Sequence, residues 1–358
     1  MEYTDTGPNT ETAAEAVRDS HDNPENGEEI RRITSLSEEE ASLLYSFFLS
    51  PQNTVPTKQI GLFVNEAMDY IESGTPGMIV YGIPRVGKTR AAEYLEMELR
   101  RKYGENLPVY YWSVQNLTAL SDKEMIGQLL RATGDPICSK GNSSDRMARL
   151  VTRMSTAACR TPYRKAILIV DEAQNMRDRH YDTLITLYND LDRRDYQIRL
   201  TVILLGQPEL KQIKQTYMRE MPQVVGRFMT HEYEFRGIQS ADDMIIAALS
   251  LENQMHFPNE NCRLMTASVF FPEAVRKDPN FTIAGTMPQM FAAFARLGKR
   301  SPEEAKMNIP MQLFIETYSE CLRKYGAYSS NPAAKPNVKI YMDCARRAGF
   351  GNYEGIVA

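Results

Sequence analysis

Large apolar side chains are almost absent from the first 33 residues, where Glu, Asp, Asn, Thr and Pro predominate. Such a segment cannot offset the entropy of its own ordering, so residues 1–34 are expected to form a disordered acidic arm. No stretch reaches the roughly 18 uninterrupted apolar residues of a membrane span, and the acidic start is the reverse of a secretion signal. Both absences point to a cytoplasmic protein that does not enter a membrane. Cysteine is scarce: Cys138, Cys159, Cys262, Cys321 and Cys344 stand far apart, with no C-x-x-C pair and no histidine at ligand spacing. That argues against a structural zinc site, and reduced thiols are the simplest state. His180 and His231 lack partners at any recognisable spacing, so neither is given a catalytic role.

What is present is length and a divided charge. The 358 residues exceed the usual single domain and suggest one substantial globular domain with smaller appended parts. Net charge is −4, yet residues 1–40 hold twelve Asp and Glu against Arg18, Arg31 and Arg32. The remaining chain therefore carries about +5. A mildly basic body with an acidic arm is compatible with nucleic-acid binding, because Lys and Arg neutralise phosphates and the arm competes for the same surface. Many neutral enzymes share this balance.

Ser37 followed by Glu38, Glu39 and Glu40 resembles a capped helix start, with Leu43, Leu44, Phe47 and Phe48 at helical spacing behind it. Ile60, Phe63, Met68 and Ile71 suggest a second helix, so residues 35–74 are assigned to N-terminal helices. Between 75 and 237 short apolar runs alternate with longer amphipathic ones, which predicts an α/β core: a parallel five-stranded sheet flanked by helices. The predicted strands are Met78–Tyr81, Val109–Ser113, Ala166–Asp171, Thr201–Leu205 and Glu232–Phe235. Predicted helices are Thr89–Tyr103, Asp122–Ala132, Asp145–Ala158 and Tyr181–Asp192. Residues 238–327, with helices at Ala241–Gln254 and Met287–Leu297, read as a small α-helical lid, and 328–358 as a linker and tail.

The chemistry begins with Gly82-Ile83-Pro84-Arg85-Val86-Gly87-Lys88-Thr89, a G-x-x-x-x-G-K-[ST] run set between an apolar strand and a helix. Its glycines let successive N–H groups wrap around phosphates, so Gly82, Pro84, Arg85, Val86, Gly87, Lys88, Thr89 and Arg90 are the candidate ATP-binding residues. Lys88 reaches the β- and γ-phosphates and Thr89 is a ligand for Mg²⁺. The buried run Ala166–Val170 then ends in Asp171 and Glu172, two acids at the end of an apolar strand. Asp171 is the second candidate Mg²⁺ ligand and Glu172 the group that polarises the attacking water. A third apolar strand ends at Gly206-Gln207-Pro208-Glu209-Leu210, which places Gln207 to contact the γ-phosphate or the lytic water.

These three elements, in this order, resemble the AAA+ ATPases, in which Gln207 matches the sensor 1 position. The fold expected is therefore an AAA+ P-loop NTPase. More narrowly, Leu129-Leu130-Arg131-Ala132-Thr133-Gly134-Asp135-Pro136, the Asp171-Glu172-Ala173-Gln174-Asn175-Met176 box and Gly206–Leu210 resemble the TnsC/TniB transposition regulators. The resemblance covers roughly residues 60–297, and secretion-linked AAA+ relatives share part of it. It implies an arginine finger reaching a neighbouring subunit, for which Arg227 stands at the usual place and Arg219 is a second candidate. The lid departs from the pattern: Gly285-Thr286-Met287-Pro288-Gln289 has Pro288 or Gln289 where the family places an arginine, with Arg296 two turns on. That departure implies slow hydrolysis.

Basic residues cluster between the second and third strands, where Arg146, Arg149 and Arg153 recur at spacings of three and four. They are the candidate DNA-binding face, although a solvated helix surface has the same pattern. The aromatic run Tyr110-Tyr111-Trp112 reads as a buried strand and the nineteen methionines as adaptable packing. The resemblance implies an ATPase that forms a homo-oligomeric ring or helical filament on duplex DNA, links a target-selection protein to a transposase, and disassembles on hydrolysis. The alternative is a helicase-loader-like or other protein-remodelling ATPase, for which the helix at 38–48 is the candidate docking element. A membrane-associated secretion ATPase ranks lower, since a spanning helix is missing.

Overall fold

The computed structural model describes residues 31–48, 57–114, 121–193, 195–257, 259, 261–299 and 307–353. Its elements run in chain order β1 (Arg31–Ile33), α1 (Glu38–Phe48), α2 (Lys58–Glu72), β2 (Gly77–Tyr81), α3 (Lys88–Tyr103), β3 (Val109–Ser113), α4 (Asp122–Ala132) and α5 (Ser143–Ala158). Next come β4 (Lys165–Asp171), α6 (Asp178–Asp192), β5 (Arg199–Gly206), α7 (Glu209–Glu220), α8 (Pro222–Phe228) and β6 (His231–Glu234). After it come α9 (Ala241–Gln254), β7 (Cys262–Leu264), α10 (Thr266–Phe270), α11 (Pro272–Lys277), α12 (Met287–Leu297), α13 (Met311–Tyr325) and α14 (Val338–Arg347).

Strands β2 to β6 form one parallel sheet in the order β3-β4-β5-β2-β6. Its central strands are apolar on both faces because side chains alternate across the sheet. Met78, Val80, Ile167, Ile169, Ile203 and Leu205 join α2 and α3 in one buried layer. Their neighbours Ile79, Leu168, Val170, Val202 and Leu204 join α4, α5, α6 and α8 in the other. The fold is thus an AAA+ P-loop α/β fold, and the carboxyl ends of β2, β4 and β5 meet at one edge.

Two regions differ from their reading in the sequence. Arg31–Ile33, counted with the acidic arm, pairs in parallel with Cys262–Leu264; residues 1–30 lie outside the described residues. Beyond Pro336, where a tail was expected, Asn337 caps α14, whose Tyr341, Cys344 and Ala345 are buried against α12 and α13. Three-residue strands and a ten-residue helix give too short a hydrophobic period to stand out from a linker. α1 begins with the expected reciprocal cap, Ser37 N donating to Glu40 Oε2 at 2.8 Å and Glu40 N to Ser37 Oγ at 3.2 Å. Leu44 of that helix is buried in the lid core. No helix among the described residues is long and apolar enough to cross a membrane.

Candidate nucleotide site

β2 ends where the chain must leave the sheet, and Gly82 N donates to Gly206 O at 3.2 Å, tying the loop to the end of β5. Arg85 takes φ 61° and Gly87 φ 110°, so the loop doubles back before α3 begins at Lys88. Lys88 Nζ curls into the loop and donates to Gly82 O at 2.8 Å and Ile83 O at 3.0 Å. Burial pulls its pKa below the usual lysine value, and the charges of Glu172, Asp171 and Glu209 oppose that pull. The start of α3 and this ammonium stand together at the loop, the chemistry that receives a polyphosphate.

Thr89 and Asp171 are 82 residues apart in sequence, and the fold joins them: Thr89 Oγ1 donates to Asp171 Oδ2 at 2.9 Å. Tyr111 OH donates to the same carboxylate oxygen at 3.2 Å. Burial, then the charge of Asp171, holds the Tyr111 phenol well above its ordinary range, so it remains a neutral donor. Two protein oxygens at the mouth of a phosphate loop fit Mg²⁺, which retains waters and takes its other ligands from substrate phosphates. When bound, the ion supplies charge neutralisation on those phosphates.

Glu172 follows directly, in the left-handed region at φ 56°. Its Oε2 accepts from Gln174 Nε2 at 2.5 Å, and Gln174 Oε1 accepts from Gln207 N at 3.1 Å. The ends of β4 and β5 are thereby linked beside Lys88. Arg90 pairs with Glu93 at 2.5 Å and lines a cleft with Val86 and Gly87. The cleft, about 60 Å³, is closed by Ile60 of α2, Phe235 and Ile238 after β6, and Met311 and Ile315 of α13. Gln312 N of α13 donates to Arg85 O at 3.3 Å, so α13 is the lid helix that touches the loop. Pro288, Gln289 and Arg296 of α12 are exposed and do not line this cleft.

Arg227, on α8, is half-buried; its Nη1 donates to Gln223 O of its own helix at 3.4 Å. Arg219 is exposed at the end of α7. The expectation for α5 requires correction. Arg146 is only 6% exposed, and its guanidinium donates to Gly141 O at 3.2 Å, Lys123 O at 2.7 Å and Ser139 O. It sits in a notch left by Gly127, where a Cβ would lie 2.8 Å from its Nη1. Arg149 donates to Ile137 O and Lys140 O and pairs with Asp135 at 3.3 Å, while Arg153 donates to Thr133 O and Oγ1. Their regular spacing serves to fasten the α4–α5 loop. The loop's backbone carbonyls gain donors here, and a guanidinium supplies several in one plane.

Gln174, Tyr111 and the small cleft beside the loop were not singled out as site features in the sequence. Only Gln174 had a cue, its place in the box after Asp171. His180 accepts from Arg177 N at 2.9 Å as a helix cap, and His231 stacks on Tyr70.

Residues 71–213 match the family described as the AAA domain. The chain carries an AAA-family ATPase domain and is an ATPase. No curated protein matches it. Among solved structures it is similar to the Walker-type ATPase of Pyrococcus abyssi at 14% identity and TM-score 0.48, over 85% of this chain and 75% of that one. It is similar to the Aeropyrum pernix ORC2 protein at 16% identity and TM-score 0.43, over 84% and 87% of the two chains. Drosophila ORC bound to DNA gives 16% identity and TM-score 0.39, over 97% of this chain and 69% of that one.

Proposed function

We infer that the protein is an ATP-dependent DNA-binding transposition regulator, which oligomerises on duplex DNA, links target selection to the transposase, and uses ATP hydrolysis to disassemble. The observation that carries the ATP switch is the Thr89–Asp171 contact at the phosphate loop, with Glu172 beside it and bridged to the Gln207 turn. ATP and Mg²⁺ join these groups, so loss of the γ-phosphate changes what the ends of β4 and β5 hold. Arg227 supports assembly: its guanidinium makes a long bond to Gln223 O within its own helix, and such a side chain can turn toward the γ-phosphate of a neighbouring subunit.

Support for DNA contact moves from Arg146 to the rim of the same region. Arg153 and Arg160 line a groove with Tyr110, Thr133, Thr152 and Thr156, and Arg131, Lys140, Arg160 and Arg164 are exposed. These groups suit phosphates rather than base edges, so binding is weakly sequence-specific and falls with salt. Transposition itself is supported by Leu129–Pro136 and the two boxes in the sequence, and the transposase and target-selection partners come with that resemblance. Helicase loading is the second reading. It would use α1, whose Leu43 is 64% exposed while Ala41 and Leu44 are buried.

Negative-stain imaging of Glu172→Gln with ATP, Mg²⁺ and duplex DNA tests the assignment. Rings or filaments that require both ATP and DNA support it. Assembly with ATP alone, indifferent to DNA, rejects it in favour of protein remodelling.

A further inference from the structure

Gln174 lies on the short turn after Glu172, and its side-chain amide is gripped from both ends. The Gln207 N–H can only donate, so the amide atom facing it is oxygen. The amide nitrogen then faces Glu172, and an ionised carboxylate can only accept. Each contact alone requires the same amide orientation, which leaves Gln174 one way to sit. Gly206 makes the approach possible: a Cβ there would lie 2.8 Å from Gln174 Oε1 and 3.0 Å from Leu210 Cδ2. Glu172 itself occupies a left-handed backbone conformation, which disfavours a non-glycine residue. A residue held in that region needs its surroundings to fix it, and the bond to Gln174 is one of the contacts that do so.

We propose that Gln174 is the positioning residue for ATP hydrolysis: its amide holds the Glu172 carboxylate by one oxygen, leaves the other for the attacking water, and ties both to the Gln207 turn. This rests on Glu172 being the group that orients that water. Lys88 and Asp171 are charged neighbours of Glu172, and neither can replace Gln174 as a neutral donor with a fixed direction. The Gln207 amide is the point through which the γ-phosphate sensor and the base share one hydrogen-bonded chain.

The test compares Gln174→Met, which keeps length and loses both bonds, with Gln174→Glu, which keeps the acceptor for Gln207 N and loses the donor to Glu172. Steady-state turnover is measured beside affinity for a fluorescent ATP analogue in EDTA and hydrogen exchange at the Gln207 amide. Turnover should fall about 10–100-fold in both, with analogue affinity and KM within about twofold of wild type. Exchange at Gln207 should accelerate in Gln174→Met and stay slow in Gln174→Glu. Turnover within about twofold of wild type in a folded Gln174→Met protein would overturn the proposal. So would analogue affinity lost in parallel with turnover, or an unchanged Gln207 amide in Gln174→Met. Glu172→Gln serves as the control: normal turnover there removes the premise about Glu172, whereas normal turnover only in the Gln174 variants removes the role of Gln174.

Discussion

Thr89 Oγ1 and Asp171 Oδ2 stand 2.9 Å apart although one begins a helix and the other ends a strand two strands away in the sheet. Their contact is made by the parallel register, since β2, β5 and β4 bring their carboxyl ends to the same edge. Thr89→Val keeps the shape of the side chain and removes this oxygen. Nucleotide affinity in EDTA should remain unchanged, while the gain in affinity on adding Mg²⁺ should largely disappear. Titration of a fluorescent nucleotide with and without the ion measures both.

Arg146 and Arg160 are expected to separate stability from DNA binding. Arg146→Ala leaves three carbonyls without their donor and should destabilise the fold by about 2–4 kcal/mol in a denaturant titration. Arg160→Ala should leave stability unchanged, weaken binding to duplex DNA and lower the slope of log affinity against log salt by about one. A reversed pattern would return the DNA face to Arg146.

The core was legible because its signals repeat. Strands such as β4 are built on an uninterrupted apolar run, Ala166 to Val170, and helices such as Asp122–Ala132 carry a cap at one end and period 3.6 throughout. The phosphate loop was legible because glycine, lysine and threonine act through nearby backbone. Arg146 misled because spacing reports which residues share a helical face and says nothing of what covers that face. Only the α4–α5 loop folding back shows that the partners of Arg146 are carbonyls. Tyr111 escaped for a similar reason: strand alternation gave it a buried face, while its hydroxyl reaches Asp171 of the adjacent strand.

Arg227→Ala should reduce turnover of the assembled protein by about 10²–10³-fold, with nucleotide affinity of an isolated subunit unchanged. Mixing it with Glu172→Gln should restore part of the turnover, because interfaces then form that combine an intact Glu172 with a neighbour's intact Arg227. No recovery in such mixtures would exclude a contribution across subunits.

Glu252 of α9 is half-buried and accepts from Ala284 N at 2.6 Å, and desolvation raises its pKa to about 7. The folded state then binds this proton more tightly than the unfolded chain does. Its contribution is fully present below the unfolded pKa near 4.5 and is lost as pH rises through about 7. Glu252→Gln keeps an acceptor without the charge. It should raise stability at pH 8 by roughly 1–3 kcal/mol and make little difference at pH 4. Melting curves across this range give the answer.

The most direct measurement is ATP binding beside ATP turnover in Lys88→Ala and Glu172→Gln. Lys88→Ala should lose nucleotide binding and turnover together. Glu172→Gln should bind ATP with Mg²⁺ as wild type does and turn over about 10²-fold or more slowly. Wild-type turnover in either variant would contradict the site described.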